Sequence, residues 1–110
     1  MNTVFVQNGD NIDYTPDVDV PAGAVVVQGD LVGVTKRPIP ANTLGSLAVS
    51  GVFDFSKATM AGSAIGAGVN VYWETKLHIV TTTASGNKLL GKTIKAAADA
   101  DATVRIRLSQ

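Results

Sequence analysis

Residues 45–55, Gly45-Ser46-Leu47-Ala48-Val49-Ser50-Gly51-Val52-Phe53-Asp54-Phe55, carry the clearest alternation in the chain. Leu47, Val49, Phe53 and Phe55 share one parity with Gly51. Ser46, Ala48, Ser50 and Asp54 share the other, and Val52 alone breaks the apolar-in, polar-out rule. A period of two is that of a half-buried β-strand. Eleven extended residues would reach roughly 36 Å at ~3.3 Å each, long for one strand of a small domain, so a bend is expected. Gly51, with no side chain to pack, is the predicted corner. The other apolar segments are short and are expected to wrap this stretch, burying its Leu47/Val49/Phe53/Phe55 face.

The closing segment Thr103 to Leu108 puts Val104, Ile106 and Leu108 on one face and Arg105 and Arg107 on the other. Val69, Val71 and Trp73 alternate in the same way, which makes Trp73 a core residue. Ile79 to Thr83 and Leu89 to Ala96 complete the downstream strands. Upstream, Ala24 to Gln28 and Leu31 to Thr35 flank Gly29-Asp30, a tight-hairpin signature. Asn8-Gly9-Asp10 is a turn between a short strand, Thr3 to Gln7, and Asn11 to Tyr14, with Ile12 and Tyr14 on one face. Pro16 and Pro21 keep Thr15 to Ala22 out of any ladder interior. Ser56 to Ala67 reads as a loop with at most one or two helical turns, because Gly62, Gly66 and Gly68 each cost ~1 kcal/mol in a helix relative to Ala. The fold class is therefore all-β, a small barrel or sandwich of nine to ten short strands with little or no helix. The expected organisation is one domain over residues 1–110, with 1–15 as an N-terminal arm or hairpin.

Three segments repeat one pattern: Val20-Pro21-Ala22-Gly23, Ile39-Pro40-Ala41-Asn42 and Ile65-Gly66-Ala67-Gly68. Each reads as aliphatic, Pro or Gly, Ala, then Gly or Asn before a strand. The last position is expected to supply a positive φ. The unequal spacings exclude a solenoid.

The chain has 110 residues, no cysteine and a net charge of zero. No disulfide or thiolate chemistry is open to it. A neutral total argues against a dedicated nucleic-acid binder. No apolar run has the length of a membrane span or a signal peptide, so a soluble protein made in the cytoplasm is expected. The charge is unevenly placed. Residues 1–35 hold Asp10, Asp13, Asp17, Asp19 and Asp30 without a cation, and residues 36–110 hold nine cations against four carboxylates. Ends of opposite sign can pair head to tail with copies of the chain or with a patterned surface.

Gly86-Asn87-Lys88-Leu89-Leu90-Gly91-Lys92-Thr93 matches the phosphate-binding pattern G-x-x-x-x-G-K-[ST]. In such a loop Gly86 and Gly91 would open backbone N–H groups to phosphate, Lys92 would reach the outer phosphates and Thr93 would hold Mg²⁺. The context is wrong. The preceding Thr81-Thr82-Thr83-Ala84-Ser85 is polar rather than a buried strand, and the segment after Thr93, Ile94 to Asp99, is a feeble helix former. The match is read as coincidence, with Ser85-Gly86-Asn87 a hairpin turn and Leu89 to Ala96 a strand. His78, the one histidine, has no nucleophile in motif context and belongs on the surface near the Glu74 to Leu77 turn. Asp17-x-Asp19 and Asp99-x-Asp101 lack the glycine and distal glutamate of a calcium loop and read as solvated turns. No catalytic group, cofactor or metal site is expected.

Several segments together resemble the capsid cement, or head decoration, family of tailed phages and prophages. These are Val6 to Pro16 (Val-Gln-Asn-Gly-Asp-Asn-Ile-Asp-Tyr-Thr-Pro), Gly29 to Val34, Gly51-Val52-Phe53-Asp54, Val71-Tyr72-Trp73 and Ala102 to Leu108. The likeness runs in order over nearly the whole chain. Family members often carry the label of a phage recombinase of the RecA/RadA type, which here finds support only in the string at 86–93. The resemblance implies a non-enzymatic virion protein on the outer capsid surface. It would bind the major capsid protein as a homo-oligomer, a trimer being favoured, and stabilise the assembled head without nucleic-acid or membrane partners. Capsid contacts are expected from Thr3, Val4, Phe5, Val6 and, in the 56–67 loop, Met60. The alternatives are a P-loop ATPase acting in phage recombination and a generic β-domain binding module, for instance for glycans through Tyr14, Tyr72 and Trp73.

Overall fold

A computed structural model describes residues 3, 4, 6 and 9–110. Among them lie nine strands and no helix: β1 (Asn11–Tyr14), β2 (Val25–Gln28), β3 (Leu31–Val34), β4 (Gly45–Ala48), β5 (Gly51–Ser56), β6 (Asn70–Glu74), β7 (Ile79–Thr81), β8 (Lys88–Thr93) and β9 (Thr103–Leu108). They form two antiparallel sheets, β1-β4-β3-β2 and β5-β9-β8-β6-β7. The architecture is sandwich-like. A single parallel bridge from Lys57 to Val80 draws the two edges of the second sheet together without closing it into a barrel.

Where side chains alternate strictly, the predicted strands form. β5 and β9 pair from Gly51↔Leu108 to Ser56↔Thr103. Phe55, Val104, Ile106 and Leu108 thereby face the core, while Asp54, Arg105 and Arg107 face out. Val52, the residue that broke the pattern, points outward and is 51% exposed. The β2–β3 hairpin turns on Gly29-Asp30, with a φ of 60° at Gly29. The core joins Val32 and Val34 of the first sheet to Val71, Trp73, Leu90, Val104, Ile106 and Leu108 of the second. Phe53, Phe55 and Trp73 meet edge to face, with successive centroids 6.3 and 6.0 Å apart.

Residues 45–55 are two strands rather than one bent strand. Val49 N–H still bonds Asp10 O in the first sheet (2.9 Å), and Gly51 already pairs with Leu108 in the second. The corner therefore lies at Val49-Ser50-Gly51 and carries the chain from one sheet to the other. Gly51 adopts a φ of 119° there. Shared parity does not mean a shared core. Phe55 joins the central cluster, whereas Leu47, 1% exposed, lies outside it and packs across Gly33, where a Cβ would come within 2.9 Å of Leu47 Cβ. Three further differences are local: Ser56 belongs to β5 rather than to the following loop, the predicted strand at 89–96 ends at Thr93, and that at 79–83 ends at Thr81, while residues 58–67 are a loop without helix, as read. Thr3, Val4 and Val6 lie outside any strand, while Phe5 and Gln7 of the predicted N-terminal strand lie outside the described residues.

The three repeated turns all carry the expected positive φ: 79° at Gly23, 60° at Asn42 and 73° at Gly68. The first and third are the same bracket built twice. Gly23 N–H donates to Thr35 O (2.7 Å) and Thr35 N–H to Ala24 O (3.0 Å). Thr35 Oγ1 accepts from Ala24 N–H (2.9 Å) and donates to Pro21 O (2.7 Å). In the second copy Gly68 N–H donates to Thr93 O (2.8 Å) and Thr93 N–H to Val69 O (3.0 Å). Thr93 Oγ1 accepts from Val69 N–H (3.0 Å) and donates to Gly66 O (2.6 Å). An antiparallel bridge lies four residues after each threonine, Val20↔Ile39 and Ile65↔Ala97. Each hydroxyl thus satisfies one donor and one acceptor, and leaving either unpaired costs ~1–3 kcal/mol. Thr35→Val and Thr93→Val are expected to lose similar stability, ~2 kcal/mol each, read as matched shifts of the urea midpoint.

Candidate functional site

Three of the four fixed positions of the phosphate-binding string, Gly86, Gly91 and Thr93, have a structural duty in the turn or the sheet. Gly86, at a φ of 76°, turns the chain at 84–87, where Asn87 N–H bonds Ala84 O (3.1 Å). Gly91 sits at a register shift of β8 against β6, where the backbone comes so close to β9 that an added Cβ would lie 2.1 Å from Arg107 O. Thr93 is 2% exposed and fully used by its bracket, so its hydroxyl is not free for a metal. Lys92 is exposed on the outer face of β8. Strand β8 runs through the whole of 88–93 with no helix after it, so no nest of free N–H groups faces a common point. The string is a turn followed by a bulged strand.

A buried cation occurs instead at Lys57, 5% exposed. The Phe53, Phe55, Lys57 parity directs it inward just past β5. Its ammonium donates to the carbonyls of Ala58 (2.7 Å), Ala98 (2.9 Å), Asp101 (3.0 Å) and Asp99 (3.2 Å), and lies 3.4 Å from Ser63 Oγ. The carboxylates of the same acidic turn cap backbone: Asp99 Oδ1 accepts from Ala64 N–H (2.8 Å) and Asp101 Oδ2 from Ala98 N–H (2.9 Å). These acids are turn formers, as their spacing implied. Lys57 was not singled out from the sequence; the available signal was a lysine at an inward position of an alternating run.

On the outer face of the second sheet, Arg105 donates to both carboxylate oxygens of Asp54 (3.0 and 3.2 Å), and this hydrogen bonding holds Asp54 below its ordinary pKa. The same contact raises the pKa of Arg105. Lys88 bonds Asp30 across the two sheets (2.8 Å) and lowers the aspartate in the same way. Both pairs are solvent-accessible, so they orient surface charge more than they stabilise the fold. The acidic and basic ends read from the sequence separate by sheet. Residues 9–48, which contain the first sheet, hold five carboxylates and two cations, net −3, and residues 49–110 hold seven cations and four carboxylates, net +3.

His78 is exposed at the β6–β7 turn, with a φ of 54° and its ring edge-on to Trp73 at 6.0 Å. Trp73 is 4% exposed, a core residue that presents no stacking platform to a glycan. Among the described residues no group of three or more His, Cys, Asp or Glu could hold a metal ion. No helix among them is long and apolar enough to cross a membrane. Of the expected capsid contacts, Thr3 is exposed, as are Val4 (77%), Val6 (84%) and Met60 (70%), and Phe5 lies outside the described residues.

Two short antiparallel sheets around a core of Val, Leu, Ile and aromatic side chains define an all-β sandwich-like protein that exposes apolar side chains at Val4, Val6 and Met60. The chain belongs to the phage cement protein family, which matches it over residues 6–108. No curated protein and no solved structure matches it. Membership gives the protein a structural, capsid-binding role in the phage virion.

Proposed function

We propose that the protein binds the outer surface of the assembled head and stabilises it by bridging major capsid protein subunits. Family membership over residues 6–108 is the observation that carries this reading. A ligand that binds only the assembled lattice stabilises it by mass action, and bridging several subunits multiplies a weak contact. The chain is made in the host cytoplasm and acts as one domain over 1–110, with residues 1–15 as an N-terminal arm or hairpin whose β1 segment is anchored on β4. It works as a homo-oligomer, with a trimer favoured. Thr3, Val4, Phe5, Val6 and Met60 make the capsid contacts. The exposure of Val4, Val6 and Met60, apolar side chains without local burial, supports that choice.

Co-sedimentation with expanded heads that lack the protein tests the proposal, with unexpanded heads alongside. Saturable binding to expanded heads at a stoichiometry fitting the lattice is expected, together with a higher head melting temperature. Deleting residues 2–7 is expected to leave the circular dichroism spectrum unchanged and abolish binding. Normal binding by the truncated chain would exclude the arm as the contact, and no binding by the full chain would exclude the cement role.

A further inference from the structure

Lys92 and Arg107 stand directly opposite each other in the β8–β9 ladder, both exposed. Like charges opposed across a ladder destabilise a sheet. Neighbouring cations are compensated, Arg105 by Asp54 and Lys88 by Asp30, but no carboxylate among the described residues meets Lys92 or Arg107. Between the two opens a cleft of about 130 Å³, walled by Asn70, Leu89, Gly91 and Ser109. Its surroundings include apolar surface: Leu89 is 40% exposed, and Val52, paired with Arg107, is 51% exposed. Two cations, polar groups and an apolar rim make a receptor for a carboxylate carried beside an aliphatic side chain.

The chain itself carries such a feature. The loop after β1 exposes Asp17-Val18-Asp19, with Val18 63% exposed between two carboxylates. Asp19 Oδ1 accepts from Ala41 N–H (2.8 Å), which fixes the loop to the neighbouring turn. No cation among the described residues meets Asp17. The loop belongs to the acidic first sheet and the cleft to the basic second sheet, so the two surfaces are complementary in sign.

We propose that the Lys92–Arg107 cleft is one half of a contact between copies of this chain, filled by the Asp17-Val18-Asp19 loop of a second copy. The contact is heterologous: each molecule offers a cleft to one neighbour and a loop to another. Such a contact closes into a ring or runs on as an open array according to its rotation. It deepens the cement reading by supplying valence, and its chemistry does not depend on the capsid.

Sedimentation velocity of the full chain at about 50 mM and about 1 M salt tests the contact, since the screening length shortens from more than ~10 Å to ~3 Å over such a range. The wild type is expected to sediment as an oligomer at low salt and as a monomer at high salt. Lys92→Glu with Arg107→Glu, and Asp17→Lys with Asp19→Asn, which keeps the acceptor for Ala41 N–H, are each expected to weaken self-association roughly tenfold or more. In an equimolar mixture opposite signs meet wherever the two variants alternate, so association into mixed dimers and longer alternating assemblies is expected to return, while a three-membered ring, which cannot alternate, is not. Circular dichroism confirms that each is folded, and Lys92→Ser with Arg107→Ser serves as a milder pair.

A wild type that stays monomeric at low salt, or an oligomer that neither double variant weakens, overturns the contact. So does a monomeric wild type whose cleft retards duplex DNA. Head co-sedimentation on the same samples separates the two readings. Head binding by a monomeric wild type defeats this contact alone, and salt-sensitive oligomers that ignore heads defeat the capsid reading alone.

Discussion

Gly91→Ala is expected to destabilise the fold by on the order of 4 kcal/mol or more, enough to unfold much of the population of a marginal domain. The new Cβ would lie 2.1 Å from Arg107 O and 2.9 Å from Ser109 N, and both obstacles are backbone. Relief requires β8 and β9 to separate, at ~1 kcal/mol for each ladder bond lost. The φ of 154° adds a further ~1–3 kcal/mol, because that region is nearly exclusive to glycine. Gly86→Ala is the control. Its φ is 76° and nothing lies within 4 Å of an added Cβ, so only the local backbone penalty of ~1–2 kcal/mol applies. Urea unfolding of both variants decides the matter. Equal small losses would mean that the close approach at Gly91 relaxes freely.

Lys57→Met is expected to cost ~3 kcal/mol or more, although the side chain keeps its length and apolar stem. The loss is the ammonium, the shared donor for carbonyls at Ala58, Ala98, Asp99 and Asp101. Several part-buried acceptors would lose their donor at once, each worth ~1–3 kcal/mol where water does not replace it. The damage is expected to be local first. Amide exchange in 58–64 and 98–102 accelerates while β8 and β9 stay protected, because Lys57 ties those two loops together rather than the strands. Uniform acceleration across the second sheet would show instead that this cation holds the core.

Much of the fold was legible where the cause is local. The parity of β9, the Gly29-Asp30 turn and the positive φ at Gly23, Asn42 and Gly68 depend on a few adjacent residues, and the sequence displays them directly. The corner in 45–55 was only half legible. Alternation shows that a strand is present but not which sheet receives it, so Leu47 and Phe55 appeared to share one core. The brackets at Thr35 and Thr93 and the cage around Lys57 were invisible for another reason. Their partners are backbone groups up to 44 residues away, and a backbone carbonyl has no signature in sequence. The phosphate-loop string shows the converse, since glycine answers a close approach between strands as readily as an anion.

The placement of β9 bears on how the chain is born. It lies inside the second sheet, between β5 and β8, yet it is the last of the nine strands in sequence. While the ribosome is still making the preceding residues, β5 and β8 have no strand between them, and Phe55 and Leu90 lack Val104, Ile106 and Leu108 to cover them. The first sheet can assemble during translation, but the second must wait for Thr103–Leu108. Folding is thus deferred to a late, long-range step of the kind that proceeds slowly and exposes sticky intermediates. For a nascent subunit, Phe55 and Leu90 therefore stay without that cover until Thr103–Leu108 has left the ribosome.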